Sequence, residues 1–188
     1  MKLLTTLRKF PAASALLVGC LLMAGNASAT LLVEQLPAVT AVGQQADTST
    51  GPYPESVTVP APASINRILW WGYYLAGSTL DDSFLIALGG KAQSGSVKSV
   101  AAGSVDGLDL YRYELTLATP FAVTGATPLE LALVNDSFDV EWYWQGAATS
   151  DGRRALVMLQ VPEPGMLGIF GVGLLGLALS SRRRLTRS

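Results

Sequence analysis

The chain contains no histidine, and its single cysteine, Cys20, lies within the first thirty residues. Ser-His-Asp triads, Cys-His nucleophile pairs and ordinary zinc sites therefore each lack an essential residue. No disulfide can form, whatever the redox state of the compartment. Charge of one sign is also scarce in the middle of the chain. All 14 acidic residues fall between Glu34 and Glu163, whereas only six of the 13 basic ones do, which gives that interval a net charge of −8. A region this acidic is a poor partner for nucleic acid or for any bare anionic polymer.

Both ends are built differently from the middle. Lys2, Arg8 and Lys9 precede an apolar core over residues 12–24, and Ala27-Ser28-Ala29 supplies a small-residue cleavage pattern. This is the layout of a secretory signal peptide spanning residues 1–29, to be cut by signal peptidase. Leu17-Val18-Gly19-Cys20 also fits a lipobox. The apolar core runs on past Cys20 and the Ala-x-Ala site follows at the proper distance, so cleavage after Ala29 is favoured. Either route exports the protein. The other end, residues 161–188, opens with Val161, Pro162, Glu163 and Pro164, continues as an uncharged stretch over 165–181, and closes on Arg182, Arg183, Arg184 and Arg187. As a helix, that stretch would reach roughly 25 Å at about 1.5 Å per residue, enough for a short membrane span. Arginines directly after it place the C-terminus in the cytoplasm under the positive-inside rule. The two prolines fix φ and remove two amide donors, which keeps the segment out of helix and sheet.

These three tail parts, in this order and spacing, resemble the PEP-CTERM sorting signal. The resemblance implies recognition by an exosortase, a membrane-embedded protease or transpeptidase, at the outer face of a Gram-negative inner membrane. It further implies a host that makes an extracellular polysaccharide matrix. The protein is then expected first as an inner-membrane-tethered chain with its domain in the periplasm, and later at the cell surface or in the matrix.

Residues 30–160 are enough for one domain with its own core. Strand candidates are 31–33, 57–59, 65–75, 83–88, 97–101, 110–117, 129–134, 140–145 and 155–161, separated by turn signals at Gly89-Gly90, Gly103, Asp106-Gly107, Pro120, Gly125, Pro128, Asn135-Asp136 and Asp151-Gly152. Residues 37–55 read as loop with at most a short strand. Tyr111, Tyr113, Leu115 and Leu117 alternate cleanly and share one face. No segment before the tail predicts a helix. The expected fold is all-β, a single antiparallel β-sandwich of jelly-roll-like type, between the signal peptide and a C-terminal transmembrane helix. The domain also resembles the β-sandwich found ahead of many PEP-CTERM tails, through Trp70-Trp71-Gly72, Asp82-Ser83-Phe84, Tyr111-Arg112-Tyr113, Val134-Asn135-Asp136 and Trp142-Tyr143-Trp144.

Three constellations are candidates for chemistry. Trp142 and Trp144 share a strand face and Tyr143 takes the other; exposed, they would stack on sugar rings of an exopolysaccharide, and buried they would fill the core. Trp70 and Tyr74 pair in the same way, with Trp71 and Tyr73 opposite. Asp81-Asp82, Asp106 with Asp109, and Asn135-Asp136 with Asp139 offer oxygen ligands suited to calcium, or simply make β-turns. A glycosidase carboxylate pair is the remote third case, since nothing singles out two acids. Arg153-Arg154 reads as a solvated charge pair. The expectation is a non-enzymatic structural protein, with a carbohydrate-binding module as the alternative.

Overall fold

The computed structural model describes residues 28–78, 80–125, 128–149 and 151–161. Ala27, the motif residues Pro162, Glu163 and Pro164, the expected span and the four arginines lie outside the described residues. Residues Ala29–Val161 form one compact unit. Its regular elements are all strands, and no helix occurs among the described residues: β1 Thr30–Gln35, β2 Gln44–Gln45, β3 Tyr53–Thr58, β4 Ala63–Tyr74, β5 Phe84–Leu88, β6 Lys91–Gln93, β7 Gly95–Val105, β8 Leu108–Val123, β9 Pro128–Asn135, β10 Trp142–Trp144 and β11 Leu156–Gln160.

The strands make two antiparallel sheets. In the larger, β4 is the axis. One of its edges pairs with β8, which pairs in turn with β7. The other edge is shared by two strands in tandem, with Arg67 to Trp70 facing β11 and Gly72 to Tyr74 facing β10. β1 then lies outside β11 and β2 outside β10. The smaller sheet runs β3-β9-β5-β6. A single apolar core joins the two, drawing Ile68, Trp70, Tyr113, Leu115, Trp142, Trp144, Leu156 and Met158 from one sheet and Val57, Ile86, Leu88, Leu131 and Leu133 from the other. The architecture is thus sandwich-like, as alternating strands with one apolar face require.

Several element bounds differ from the sequence reading, each for a local reason. Asp106 and Gly107 both take positive φ, 48° and 81°, as a two-residue hairpin turn demands, so β7 and β8 extend right up to it. Gly89 and Gly90 do the same at 53° and 72°, turning β5 back into the short strand β6, which Lys91-Ala92-Gln93 did not announce by hydrophobicity. Pro120 does not end β8. The pairing jumps from Ile65↔Phe121 to Arg67↔Thr116, leaving surplus β8 residues around Pro120 outside the ladder, where a missing N–H costs nothing. The same irregularity explains why Ile65 and Ile68, three apart, both reach the core.

Candidate functional site

β10 is short, but its alternation is strict. Trp142 and Trp144 point into the core and are 0% exposed, while Tyr143 faces outward and is half-buried. Phe84 packs edge-on against Trp142, Tyr113 and Trp70 with ring centroids 5.1, 4.7 and 5.4 Å away, and Tyr113 stacks on Trp70 at 5.5 Å. The Trp144 indole N–H donates to the Ala155 carbonyl at 3.0 Å. Gly72 faces the Trp142 ring so closely that a Cβ there would overlap it. Trp142 and Trp144 therefore present no surface to a sugar; of the two alternatives, stacking platform or core filling, they take the second, because a second sheet covers the face they share. Trp70 is enclosed in the same way.

The outward face carries a second, smaller apolar cluster built on Trp71, Tyr73, Val105, Leu110, Ala155 and Val157. Tyr143 does not stand free on it. Its ring stacks on Tyr73 at 5.4 Å and 7°. Residues 38–43 lie alongside and are tied down by polar tips. Gln145 Nε2 donates to the carbonyls of Ala38 and Thr40 at 2.9 and 2.7 Å, and the Gly43 amide donates to the Tyr73 hydroxyl at 3.2 Å. The Ala41 amide donates to Asp106 Oδ2 at 2.8 Å, and Arg154 Nη1 to the Val42 carbonyl at 3.1 Å. Burial pushes the Tyr73 hydroxyl above its ordinary pKa.

In the acidic turns, the side chains of Asp82, Asp106 and Asn135 and the main chain of Asp81 bond to the chain itself. The Tyr74 hydroxyl shares its one proton between Asp82 Oδ1 and the Asp81 carbonyl; Asp82 also accepts from the Ser99 hydroxyl, and the Asp81 carbonyl from Asn135 and Ser137. Asn135 Oδ1 takes the Ser137 amide, the local turn bond that such residues favour. Asp139 adopts a positive φ of 57°. No group of three or more His, Cys, Asp or Glu side chains gathers as a metal cage among the described residues. The carboxylates expected as calcium ligands at Asp82 and Asp106 already accept hydrogen bonds from the chain.

Four residues, Asp47, Gln145, Arg154 and Asn66, have roles in this layout that the sequence did not reveal. Asp47 is 0% exposed, and its carboxylate gathers Ser49, Gln45 and the Trp142 amide, at 2.6, 2.8 and 3.3 Å. Burial alone would raise its pKa, but those donors outweigh it and hold the group below the ordinary carboxylate value. The Asp-x-Ser spacing over Asp47 and Ser49 is the signal that could have found it. Gln145 has no such local cue. Arg154 corrects the picture of a solvated pair. It is buried, sits 5.2 Å over the Tyr53 ring, and its amide donates to Glu55 at 3.1 Å, whereas Arg153 does pair with Asp151 at the surface. Asn66, the fourth, meets the end of the domain. Its Oδ1 accepts from the Val161 amide at 2.8 Å while its Nδ2 donates to the Val161 carbonyl, and two residues before it in β4 the Ser64 amide donates to Gln160 Oε1 at 3.1 Å.

Beyond that junction the tail begins, and a comparison with known families decides its nature. Residues 160–184 match the PEP-CTERM protein-sorting motif. The chain carries a PEP-CTERM sorting signal. No curated protein and no solved structure matches it. The PEP-CTERM match opens on Gln160 and Val161, the two residues that Ser64 and Asn66 hold. Ala29, at the other processing point expected from the sequence, is exposed one residue before β1. Thr30 pairs with Gln160, so β1 begins beside the start of the signal. A PEP-CTERM signal implies export, a membrane-anchored sorting step and an exosortase as sorting partner.

Proposed function

We propose that this is an exported structural protein of the cell surface or extracellular matrix of a Gram-negative bacterium, without catalysis of its own. The observation that carries the reading is the PEP-CTERM motif at residues 160–184, directly continuous with the last strand of an all-β unit. Signal peptidase removes residues 1–29. The stretch 165–181 then holds the chain in the inner membrane, with the domain in the periplasm and the arginines in the cytoplasm, until exosortase acts near Pro162-Glu163-Pro164. The domain, a jelly-roll-like sandwich carrying an acidic surface, is what remains outside.

The absence of histidine throughout the sequence, and the engagement of the Asp82 and Asp106 carboxylates in hydrogen bonds of the fold, support a non-enzymatic role. No observation favours a glycosidase pair. Deleting the exosortase of the host tests the sorting claim. Intact mass of the protein from membranes should then include residues up to Ser188, whereas the parent strain yields a product lacking the arginine tail. An unchanged mature mass in the deletion strain would overturn it.

A further inference from the structure

The last strand of the domain ends at Gln160, yet the chain is not released there. A primary amide offers one acceptor and two donors, so Asn66 gives Val161 with its side chain the two hydrogen bonds that a facing strand residue would give with its backbone. Asn66 is available for this because it sits at the irregularity of β4, between Ile65 and Arg67, where no β8 residue pairs with it. Together with the bond from Ser64 to Gln160, the first two residues of the sorting motif are fastened to β4. The next residue, Pro162, has no amide hydrogen with which to continue a strand.

Enzymes that take an extended peptide commonly read it through its backbone N–H and C=O groups. At Val161 both groups are already occupied. We propose that Asn66 is a positioning residue for sorting: it latches Val161 to the folded domain, so that processing is confined to the C-terminal side of Val161 and the mature protein has one defined end. The inference rests on the exosortase reading above, and it assigns to that step a determinant 95 positions away in the chain.

The test uses the full chain expressed in its host, with the C-terminal peptide of the processed protein read by mass spectrometry. The parent protein is expected to yield a single C-terminus downstream of Val161. Asn66→Ala should yield additional ends at or before Val161, amounting to about a tenth or more of the product, since loss of even one such bond shifts a local equilibrium several-fold. Asn66→Asp keeps the acceptor for the Val161 amide but loses the donor, and should fall between the two. It also carries the test alone if Asn66→Ala does not accumulate. Tyr143→Ala, destabilising elsewhere, should leave the end where it is, which separates positioning from stability. The proposal fails if the parent product ends at or before Val161, or if both Asn66 variants give the parent end only. The exosortase-deletion strain separates the two readings. Loss of the tail there in the parent protein defeats the exosortase reading, while the comparison of ends among variants still judges the latch.

Discussion

Trp142 and Trp144 are separated from each other by only Tyr143, yet the two faces of β10 live in different chemistry. The inner face is fully buried. Phe84 meets its rings edge to face, Tyr113 stacks on Trp70, and Gly72 leaves room for the Trp142 ring. The outer face is amphipathic: Tyr73 and Tyr143 lie flat on each other, and their surroundings are closed by a segment held through amide and hydroxyl tips. On the inner face stability comes from shape, with each edge-to-face pair worth about 0.5–1.5 kcal/mol beyond area burial. On the outer face it comes from a few polar contacts over a smaller apolar patch, typically about 1 kcal/mol each. An aromatic triplet in a strand thus says which residues share a face, and the neighbouring sheet decides what the face is for.

The contrast breaks most sharply at Gly72. Gly72→Ala should destabilise the domain by about 3 kcal/mol or more, because the added methyl meets the Trp142 ring, which has nowhere to go. Urea denaturation followed by tryptophan emission would measure it, and a loss below about 1 kcal/mol would mean that the inner face yields. Trp142→Ala should cost about 3–5 kcal/mol by leaving a cavity in the shared core, whereas Tyr143→Ala should cost about 1 kcal/mol. Equal losses would erase the distinction between the faces.

Asp47 lies where the two faces are joined, since it receives the Trp142 amide, and Asp47→Asn should cost about 2 kcal/mol at neutral pH. Its folded pKa lies below that of the unfolded chain, so the folded state binds the proton less readily. That contribution is fully present above pH 4 and disappears as pH falls through the folded value. Glu55 has the opposite sign. Burial raises its pKa above the ordinary glutamate value despite the Arg154 amide, so its protonation on acidification favours the folded state. Stability of the parent protein minus that of Asp47→Asn, plotted against pH, should therefore shrink below pH 4, and a flat difference would contradict the assignment. The smallest effect is expected at Tyr113, whose hydroxyl is buried with no partner among the described residues. Tyr113→Phe should change stability by less than about 1 kcal/mol, in either direction.

Much of the inner face was legible in the sequence, because the alternation Tyr113, Leu115, Leu117 and the pair Trp142, Trp144 express a period of two that any half-buried strand shows. The Asp106-Gly107 and Gly89-Gly90 turns were equally plain, since both need positive φ. What stayed hidden depends on partners distant in the chain. The burial of Trp142 and Trp144 requires knowing that the small sheet lies over them, and nothing in Trp-Tyr-Trp carries that. Arg154 is enclosed by Tyr53, Glu55 and Val42, about a hundred positions earlier, so its charge read as a surface charge. Asn66 is similar: locally it is a polar residue in an apolar strand, and its meaning appears only when β11 arrives. The sorting motif was legible because its recognition rests on contiguous residues.

The placement of β11 has a mechanical consequence. The strand that leads into the tail is flanked on both sides, by β4 and by β1, and pairs antiparallel with each. A pull transmitted through Val161 along the strand loads the hydrogen bonds of both ladders together, in shear, because those bonds run across the strand direction. An outer strand pulled sideways would instead open one bond at a time. Drag on the domain while its tail is still held would meet the sheet in its stiffer direction, with the buried side chains of Leu156 and Met158 as a second resistance.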